Sequence, residues 1–450
     1  MSSILIKDAL IVTMNPNRDI FRGNILVEDD TIKAIEKDIQ RIVQIFDLNT
    51  SKVIESRGQI VIPGFIQSHV HLCQTLFRGQ ADDLELLDWL KKRIWPLEGA
   101  HDHDSLYYSA LLGIGELFRN GTTAIIDMGT VNYTESNFQA IITSGIRAIS
   151  GKCMMDSSDI VPDSLIESTG ESLQKSVDLL EKWHGSDNGR LHYAFAPRFA
   201  ISCSEELLIQ VRDLAQKYNV KIHTHASENT TEITLIQQER KMRNIVYYDH
   251  LGITGKNLIM AHCIWLDDKE MEILRQRGVR VVHCPVSNLK LGSGIARIPE
   301  MLSKNIHVSL GSDGAPCNNN LDMFTEMRIA ALIQKPLYGP TAMSAKQTFE
   351  LATLGGAKTM GLEKEIGSLE VGKKADLTMI DLNKIHCSPS DNVDIYSQLV
   401  YQARSSDVTL TMVNGRVVYE KGNLTTIDED DTIKQANIAT KRVNSRIGLS

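Results

Sequence analysis

Paired histidines are the first residues in this chain whose type and spacing could do chemistry. His69 and His71 lie two residues apart in SHVHL, and His223 and His225 have the same spacing in KIHTHASE. On a β-strand, residues i and i+2 point to the same face, so each pair can direct two imidazoles toward one metal ion. His225 is the better ligand of its pair because it lies nearer the strand end, and His223 is expected to be a core histidine.

Three further ionisable side chains follow apolar runs. Glu228 comes three residues after His225, His262 ends the run LIMAH, and Asp313 lies in LGSDG. Histidines together with a carboxylate form a nitrogen and oxygen site that suits one catalytic Zn²⁺, with Fe²⁺ as the alternative. A divalent ion lowers the pKa of water toward neutrality, and Glu228, His262 and Asp313 could then move protons during hydrolytic attack on an electron-poor carbon.

Each of these side chains taken singly could instead cap a strand or make a buried hydrogen bond. Their joint occurrence at the ends of predicted strands favours the metal site. The sequence carries no GxSxG nucleophile motif, no Walker loop and no dinucleotide fingerprint that would indicate a different chemistry.

The elements that must position these residues alternate between short apolar runs and amphipathic stretches of helical length. Eight such units predict the α/β class, as a (β/α)8 TIM barrel, in which the carboxyl ends of all strands meet at one face. A doubly wound sheet is the alternative, but its Gly-rich loop after the first strand is missing. The predicted strands are Ile60–Leu72, Thr122–Met128, Arg147–Asp156, His192–Arg198, Lys221–Glu228, Leu258–Cys263, Arg280–Ser287 and His307–Gly314.

Both ends of the chain have a sequence pattern that differs from that of the middle, because apolar and polar residues alternate there around turn-rich breaks. This alternation predicts antiparallel strands with one wet face, and Asn414-Gly415 between two apolar runs predicts a hairpin. We therefore expect one small β-sandwich domain built from residues 1–60 and 365–426. It would flank a barrel of residues 61–364 and precede a polar helix and tail of residues 427–450.

Composition limits the classes of partner and the compartment. The chain has 450 residues and a formal net charge of −8, from 48 Lys and Arg against 56 Asp and Glu. This balance argues against a nucleic-acid or anionic-membrane partner, and no apolar run reaches the length of a membrane span. Seven scattered cysteines without a CxxC, and an N-terminus without the pattern of a secretory signal, predict reduced thiols and a cytoplasmic protein.

Taken together, these motifs resemble the amidohydrolase superfamily, in its cytosine/guanine deaminase and chlorohydrolase branch. The resemblance implies a split β-domain around the barrel, Glu228 and His262 as the proton-shuttling pair, and Asp313 as general base. The metal ligands that it implies are His69, His71, His225 and Asp313. The segments that carry it are PGFIQSHVHL (63–72), HTHASEN (223–229), AHC (261–263), HCPVSNLKLGSGIA (283–296), LGSDGAPCNNNLDMF (310–324), ATLGGAKTMGL (352–362) and GSLEVGKKADL (367–377).

Within that branch, TLFRGQADDLELLDWLKKRIWPLE (75–98) is similar to deaminases of 5′-modified adenosines. These enzymes convert 5′-deoxyadenosine, methylthioadenosine or S-adenosylhomocysteine to the inosine analogue and ammonia. The resemblance implies that Glu98 binds the ribose hydroxyls, that Trp89 lines the nucleoside pocket, and that Lys152 lies near the 5′ substituent. Glu98 could instead be a carboxylate at a helix N-terminus, and Lys152 a solvated lysine.

One stretch departs from that group. Where methylthioadenosine deaminases carry Pro-His after the fourth strand, this chain has Pro197-Arg198, which is similar to guanine deaminases, as is the placement of Gln74. A guanidinium only donates hydrogen bonds, so it favours a purine oxygen or ring nitrogen, although Arg198 could also form a salt bridge. Guanine deaminase and triazine aminohydrolase or chlorohydrolase therefore remain alternatives. The resemblance further implies a small heterocyclic substrate and a homo-oligomer, either a dimer or a tetramer.

Overall fold

The structure is a computed structural model that describes residues 3–45, 51–157 and 160–449. Its strands are β1 (Ser3–Val12), β2 (Ile20–Glu28), β3 (Thr31–Glu36), β4 (Ser51–Glu55), β5 (Ile60–Pro63), β6 (Phe65–His71), β7 (Thr122–Met128), β8 (Arg147–Gly151), β9 (Cys153–Met154), β10 (Leu191–Pro197), β11 (Lys221–Ala226), β12 (Leu258–His262), β13 (Arg280–His283), β14 (His307–Leu310), β15 (Asp313–Gly314), β16 (Leu377–Ile380), β17 (Val408–Val413), β18 (Arg416–Glu420) and β19 (Asn423–Leu424).

The helices lie mostly between the strands of the middle of the chain. They are α1 (Ile39–Ile45), α2 (Leu86–Trp89), α3 (Trp95–Gly99), α4 (His103–Arg119), α5 (Thr134–Ser144), α6 (Thr169–Trp183), α7 (Ser186–Gly189), α8 (Glu205–Tyr218), α9 (Thr230–Arg240), α10 (Asn244–His250), α11 (Asp268–Arg277), α12 (Pro285–Lys290), α13 (Ile298–Ser303), α14 (Ala315–Asn318), α15 (Met323–Tyr338), α16 (Ala345–Glu350), α17 (Gly356–Met360), α18 (Ile395–Ser397) and α19 (Glu429–Arg446). No helix in the described ranges is long and apolar enough to cross a membrane.

The predicted barrel is confirmed. Its parallel strands follow the order β14-β13-β12-β11-β10-β8-β7-β6-β15. The eighth barrel strand is interrupted, and its first part, β14, pairs with β13 while its second part, β15, pairs with β6. The sheet therefore closes on itself, and the carboxyl ends of β6, β11, β12 and β15 lie at one face.

The first predicted strand, Ile60–Leu72, is in fact two strands. The part called β5 belongs to the sheet of the chain ends, and β6 belongs to the barrel. The break falls at Gly64, where an added Cβ would lie 2.1 Å from the side chain of Thr123. Only glycine allows the chain to pass that close to the neighbouring strand as it crosses from one sheet to the other.

The two chain ends form one nine-stranded sheet in the order β19-β18-β17-β16-β5-β1-β2-β3, with β4 on β1. It folds over on itself, since Ala375 N donates to Asp30 O and Ile32 N donates to Lys373 O. Most neighbouring strands of this sheet are antiparallel, as predicted, but β1 also pairs in parallel with β4 and β5. The domain boundaries remain predictions.

Local sequence signals place the remaining elements. The hairpin turn has Asn414 at φ 51° and Gly415 at φ 75°, the left-handed pair that a two-residue hairpin of this type needs. Ser204 caps α8 by accepting a hydrogen bond from Leu207 N, a role for which serine is favoured. Residues 86–99 form one irregular helix, because α2 and α3 are joined by a π-helical turn over Leu90–Ile94.

Candidate active site

The carboxyl ends of β6 and β11 bring two histidines into direct contact above the barrel. His71 Nδ1 lies 2.9 Å from the carbonyl oxygen of Met128, and His225 Nδ1 lies 2.7 Å from that of Arg198. A carbonyl only accepts, so both Nδ1 atoms carry the proton and both Nε2 atoms hold a free lone pair. These two Nε2 atoms face each other at 3.2 Å. Two lone pairs at this distance repel unless a cation lies between them.

His69 completes the histidine cluster from the same strand as His71. Its Nε2 lies 3.3 Å from Asp313 Oδ1, and its Nδ1 lies 2.8 Å from His223 Nε2. His223 is fully buried and contacts His69 from the deeper layer, as predicted. It therefore orients a neighbour of the site, in the way that outer residues orient metal ligands.

Asp313 joins the cluster from β15. Its Oδ1 is 3.4 Å from His71 Nε2, and its Oδ2 accepts a 2.6 Å hydrogen bond from Ser287 Oγ. Burial works to raise the pKa of Asp313, but the facing imidazoles, His69 first, hold that pKa well below its usual range. The carboxylate is therefore ionised, which suits both a metal ligand and a proton acceptor.

A second pair of groups lies across from Asp313. Glu228 Oε2 is 3.4 Å from His262 Nε2, and His262 Nδ1 lies 2.8 Å from Asn288 Oδ1. An amide oxygen only accepts, so His262 carries its proton on Nδ1 and presents the Nε2 lone pair to the site. Burial, followed by the charge of Asp313, raises the pKa of Glu228 well above its usual range. This shift favours the protonated form of Glu228, which is the form that can deliver a proton.

Burial dominates the electrostatics of the histidines. It lowers the pKa of His71 to about 3 and holds the pKa values of His225 and His223 well below the usual range. All three imidazoles are therefore neutral, which is the state that binds a metal.

The backbone at the site adopts unusual conformations. Ser227, His262 and Asp313 have φ angles of 53°, 72° and 64°, in the left-handed region that side chains other than glycine rarely occupy. Each such residue costs on the order of 1–3 kcal/mol, and strain of this kind concentrates at functional sites. Ser227 follows β11, His262 ends β12, and Asp313 follows β14. At these positions the chain turns its side chains toward the barrel axis.

The residues present fit a divalent metal ion. Two ligands that bind one tetrahedral ion at 2.1 Å lie about 3.4 Å apart, and the contacts between His69, His71 and Asp313 have that length. His69 Nε2 is buried without a hydrogen-bond partner among the described residues, which is expected of an atom reserved for a cation. Neutral nitrogen donors and an ionised carboxylate suit Zn²⁺ or Fe²⁺.

A cavity lies directly above this cluster. Besides His71, His225, His262, Glu228 and Asp313, its lining residues are Gln74, Leu86, Trp89, Leu90, Arg198, Phe199 and Leu291. The irregular helix of residues 86–99 supplies Leu86, Trp89 and Leu90, and its side chains leave a free volume of about 20 Å³. That volume suits a single water, so a larger ligand requires these side chains to move outward.

The predicted substrate residues Gln74, Glu98 and Arg198 form one buried network. Arg198 donates to both oxygens of Glu98, at 2.6 and 3.2 Å, and Gln74 Nε2 donates to Glu98 Oε1 at 2.8 Å. Gln74 and Arg198 line the cavity, whereas Glu98 lies behind them and is 1% exposed. The salt bridge expected as one alternative for Arg198 therefore exists, with a partner that the sequence does not indicate.

The remaining predicted substrate residue, Lys152, lies outside the cavity lining. Its ammonium pairs with Glu167 and also donates to the carbonyl of Cys153 at 3.2 Å. Burial lowers the pKa of Lys152, although Glu167 works in the opposite direction. The alternative of a solvated lysine is wrong, because the side chain is only 2% exposed.

The sequence analysis does not identify three residues that support the site. Ser287 holds Asp313, and Asn288 holds His262, although both lie in the motif HCPVSN that carries part of the family resemblance. Asp127, at the end of β7, accepts from the backbone N of Leu72, from Asn137 and from Ser150, and so fixes the turn that follows His71. The sequence signal available for Asp127 was its position as a lone aspartate within an apolar run.

A parallel barrel with neutral histidines, an ionised aspartate and a glutamate of raised pKa at its carboxyl face defines a metal-dependent hydrolase. The amidohydrolase family profile matches residues 60–418. The chain belongs to the amidohydrolase family, which confirms the resemblance found in its motifs.

Individual relatives cover nearly the whole chain. A 5′-deoxyadenosine deaminase of Methanobrevibacter smithii is 39% identical over 443 residues, covering 98% of each chain. Among solved structures, a zinc-bound adenosine deaminase from Xanthomonas campestris has a TM-score of 0.91 at 30% identity and covers 99% of each chain. E. coli guanine deaminase has a TM-score of 0.84 at 30% identity, covering 94% of this chain and 100% of its own.

Proposed function

We propose that this protein is a metal-dependent deaminase that hydrolyses the 6-amino group of a 5′-modified adenosine, giving the inosine analogue and ammonia. The substrates that fit this proposal are 5′-deoxyadenosine, methylthioadenosine and S-adenosylhomocysteine. The observation that carries the hydrolytic chemistry is the pair of unprotonated Nε2 atoms of His71 and His225 at 3.2 Å, beside a Glu228 that holds a proton.

We propose Zn²⁺ as the ion, bound by four side chains, which are His69, His71, His225 and Asp313. When bound, such an ion lowers the pKa of water toward neutrality and so supplies a nucleophile. The buried, neutral imidazoles favour a borderline divalent cation over Mg²⁺ or Ca²⁺, which prefer oxygen ligands.

The protein groups then divide the proton movements between them. Asp313 accepts the proton of the attacking water, because its carboxylate is ionised and faces the cluster. Glu228 protonates the ring nitrogen next to the carbon under attack, and His262 accepts a hydrogen bond from the water through Nε2. Asp313 would then pass its proton to the amino group, the C–N bond would break to release ammonia, and the remaining hydroxyl proton would return to Glu228 as the carbonyl forms.

The assignment to a 5′-modified adenosine depends on the curated relative at 39% identity and on the residues around the cavity. We propose that Trp89 packs on the nucleoside and that the ribose lies at the Gln74–Glu98–Arg198 network. Lys152, with its charge compensated by Glu167, is proposed as the residue nearest the 5′ substituent.

Guanine is the second candidate substrate, and one observation favours it. Gln74 and Arg198 line the cavity above the metal ligands, where the Arg198 guanidinium could donate to a purine oxygen. The triazines are a third class, for which the cavity offers no distinct feature. We further propose a cytoplasmic enzyme that assembles as a dimer or tetramer.

Ammonia release from a panel of 5′-modified adenosines, guanine and a triazine tests the proposal on zinc-loaded protein. Turnover of 5′-deoxyadenosine with little turnover of guanine is the expected result. The reverse order of activities would replace the first candidate by the second.

A further inference from the structure

A second group of metal-binding side chains lies outside the barrel, where β16 ends and β17 begins. His386, Cys387 and Asp407 offer an imidazole nitrogen, a thiol sulfur and a carboxylate oxygen, all within 4.8 Å of one another. None of them lines the cavity above the barrel. Cys387 and Asp407 are 1% and 2% exposed, while the side chain of His386 is 22% exposed. The cluster thus has a buried floor and one edge that solvent reaches.

Backbone hydrogen bonds hold the two segments that carry this cluster. Cys387 N donates to Lys384 O at 3.0 Å. On the other segment, Asp407 N donates to Arg404 O at 2.9 Å. The segments are joined to each other by the hydrogen bond from Asp381 N to Asp407 O, also at 2.9 Å. The three side chains therefore extend from backbone that is fixed on both sides of the cluster.

The side chains of the cluster are only partly satisfied by one another. His386 Nε2 lies 2.9 Å from Asp407 Oδ2, and that oxygen also accepts from Arg404 N at 2.9 Å. A carboxylate only accepts, so His386 Nε2 carries the proton of this contact. Cys387 has a free thiol, and its Sγ makes no hydrogen bond among the described residues. A buried thiol without a partner thus lies beside an imidazole and a carboxylate.

Nitrogen, sulfur and oxygen donors in one group suit Zn²⁺, a borderline cation that proteins bind tetrahedrally through histidine, cysteine and aspartate. We propose that His386, Cys387 and Asp407 bind a second Zn²⁺ at the edge of the chain-end sheet, with water as the fourth ligand. The ion takes the place of two protons, one from His386 Nε2 and one from the Cys387 thiol, and both protons pass to solvent. Mg²⁺ and Ca²⁺ prefer oxygen ligands and fit this set poorly.

The second ion should bind more weakly than the ion of the barrel. Its binding breaks the hydrogen bond between His386 and Asp407 and deprotonates a thiol whose pKa is raised by burial and by the charge of Asp407. This site also has an exposed edge, whereas the ligands in the barrel are buried. We therefore expect desalting to remove the second ion, so that the metal content of purified protein counts the barrel site alone.

A metal at this position joins the two ends of one excursion of the chain. Residues 388–403 leave the sheet between the two halves of the cluster and pack on the barrel, where Ala403 O accepts from Arg328 Nη2 on α15 at 3.1 Å. Leu399, Val400 and Ala403 on this segment are fully buried. An ion that binds only the folded cluster stabilises the folded protein by mass action. The site therefore couples zinc concentration to the stability of the contact between sheet and barrel.

Cobalt spectroscopy tests the site without reference to turnover. A bond between Co²⁺ and a thiolate gives a charge-transfer band in the near ultraviolet that nitrogen and oxygen ligands do not give. Titration of zinc-loaded, desalted wild type with Co²⁺ should produce this band and saturate at about one ion per chain. Cys387→Ser should abolish the band, whereas Cys203→Ser, which removes another buried free thiol, should keep it. Absence of the band in wild type, or its survival in Cys387→Ser, would overturn the proposal.

The affinity for Co²⁺ tests the other two ligands. His386→Ala and Asp407→Asn should each raise the Kd by more than about 100-fold, since loss of even an outer contact of a metal site costs about 10–100-fold. Asp407→Asn keeps an oxygen that accepts from Arg404 N, so the turn before β17 is preserved. An unchanged Kd in either variant would contradict a site of three residues.

Thermal unfolding supplies a second readout. Added Zn²⁺ should raise the Tm of zinc-loaded, desalted wild type, because the second ion binds only the folded protein. The Tm of Cys387→Ser should not respond, and equal shifts in both proteins would count against the site. If Cys387→Ser does not fold, Cys387→Ala takes its place in both measurements. Neither readout depends on a substrate, so failure of the proposed deaminase activity leaves this test intact.

Discussion

His71 Nε2 lies 3.2 Å from His225 Nε2, and neither nitrogen carries a proton. Two backbone carbonyls enforce this arrangement by taking the proton-bearing Nδ1 of each ring. Two buried hydrogen bonds thus hold the two lone pairs close together. This arrangement is unfavourable until a cation binds between them.

His71→Ala should abolish stoichiometric metal binding and activity together, because it removes one of the facing lone pairs. Metal content by mass spectrometry and the rate of ammonia release are the measurements. His103→Ala is a suitable control, since the Nδ1 of this histidine contacts Ser136 Oγ and, among the described residues, it lies in no cluster that could hold a metal ion. Full metal occupancy in His71→Ala would show that the histidine pair does not bind the ion.

His223→Leu, which has no hydrogen-bonding group, should weaken metal binding without removing the site. The Nε2 of His223 accepts the 2.8 Å hydrogen bond that orients His69, and loss of such an outer contact typically lowers metal affinity by about 10–100-fold. Competition with a chelator measures the change in affinity. An unchanged affinity would assign His223 to core packing alone.

Glu228→Gln should fold normally and retain its metal while turnover falls by about 10²–10⁴-fold, the usual effect of removing a positioned acid or base. The amide has the shape of the protonated carboxyl but cannot deliver a proton. Steady-state kinetics together with metal content separate chemistry from binding. Turnover near that of wild type would reject Glu228 as the proton donor.

The free energy of unfolding should fall as the pH rises from 6 to 8, through Glu326 on α15. Burial raises the pKa of Glu326 to about 8, while an unfolded glutamate has a pKa near 4.3. Between these values the folded protein holds a proton that the unfolded chain has lost, so stability decreases with pH, by about 2 kcal/mol from pH 6 to pH 8. Urea unfolding measures it.

Glu326→Gln is the matched variant, because the amide imitates the protonated carboxyl and can still accept from Asn318. Its stability should lose that part of the pH dependence. A pH profile identical to wild type would mean that Glu326 does not titrate in this range.

The barrel and the grouping of the histidines with Asp313 could be predicted from the sequence because both follow from strand periodicity. Once residues 65–71 and 221–226 are parallel strands, their histidines must point toward one face, and Asp313 must join them from the last strand. The interruption of the last strand and the parallel pairing of β1 were not predictable, since neither leaves a mark on the alternation of apolar residues.

The buried network beside the cavity was less predictable. Gln74, Glu98 and Arg198 come from a turn, an irregular helix and a strand end, and their contacts depend on how that helix lies across the barrel. Sequence alone could name the three residues but could not decide that Arg198 and Glu98 form a pair. For the same reason, the pairing of Lys152 with Glu167 could not be foreseen.

The most direct test of the account is ammonia release from 5′-deoxyadenosine by zinc-loaded protein, measured beside guanine under identical conditions. The account predicts conversion of 5′-deoxyadenosine to 5′-deoxyinosine that is lost on chelation and restored by added Zn²⁺, with kcat/KM well above that for guanine. Release of ammonia from guanine, with none from 5′-deoxyadenosine, methylthioadenosine or S-adenosylhomocysteine, would contradict it.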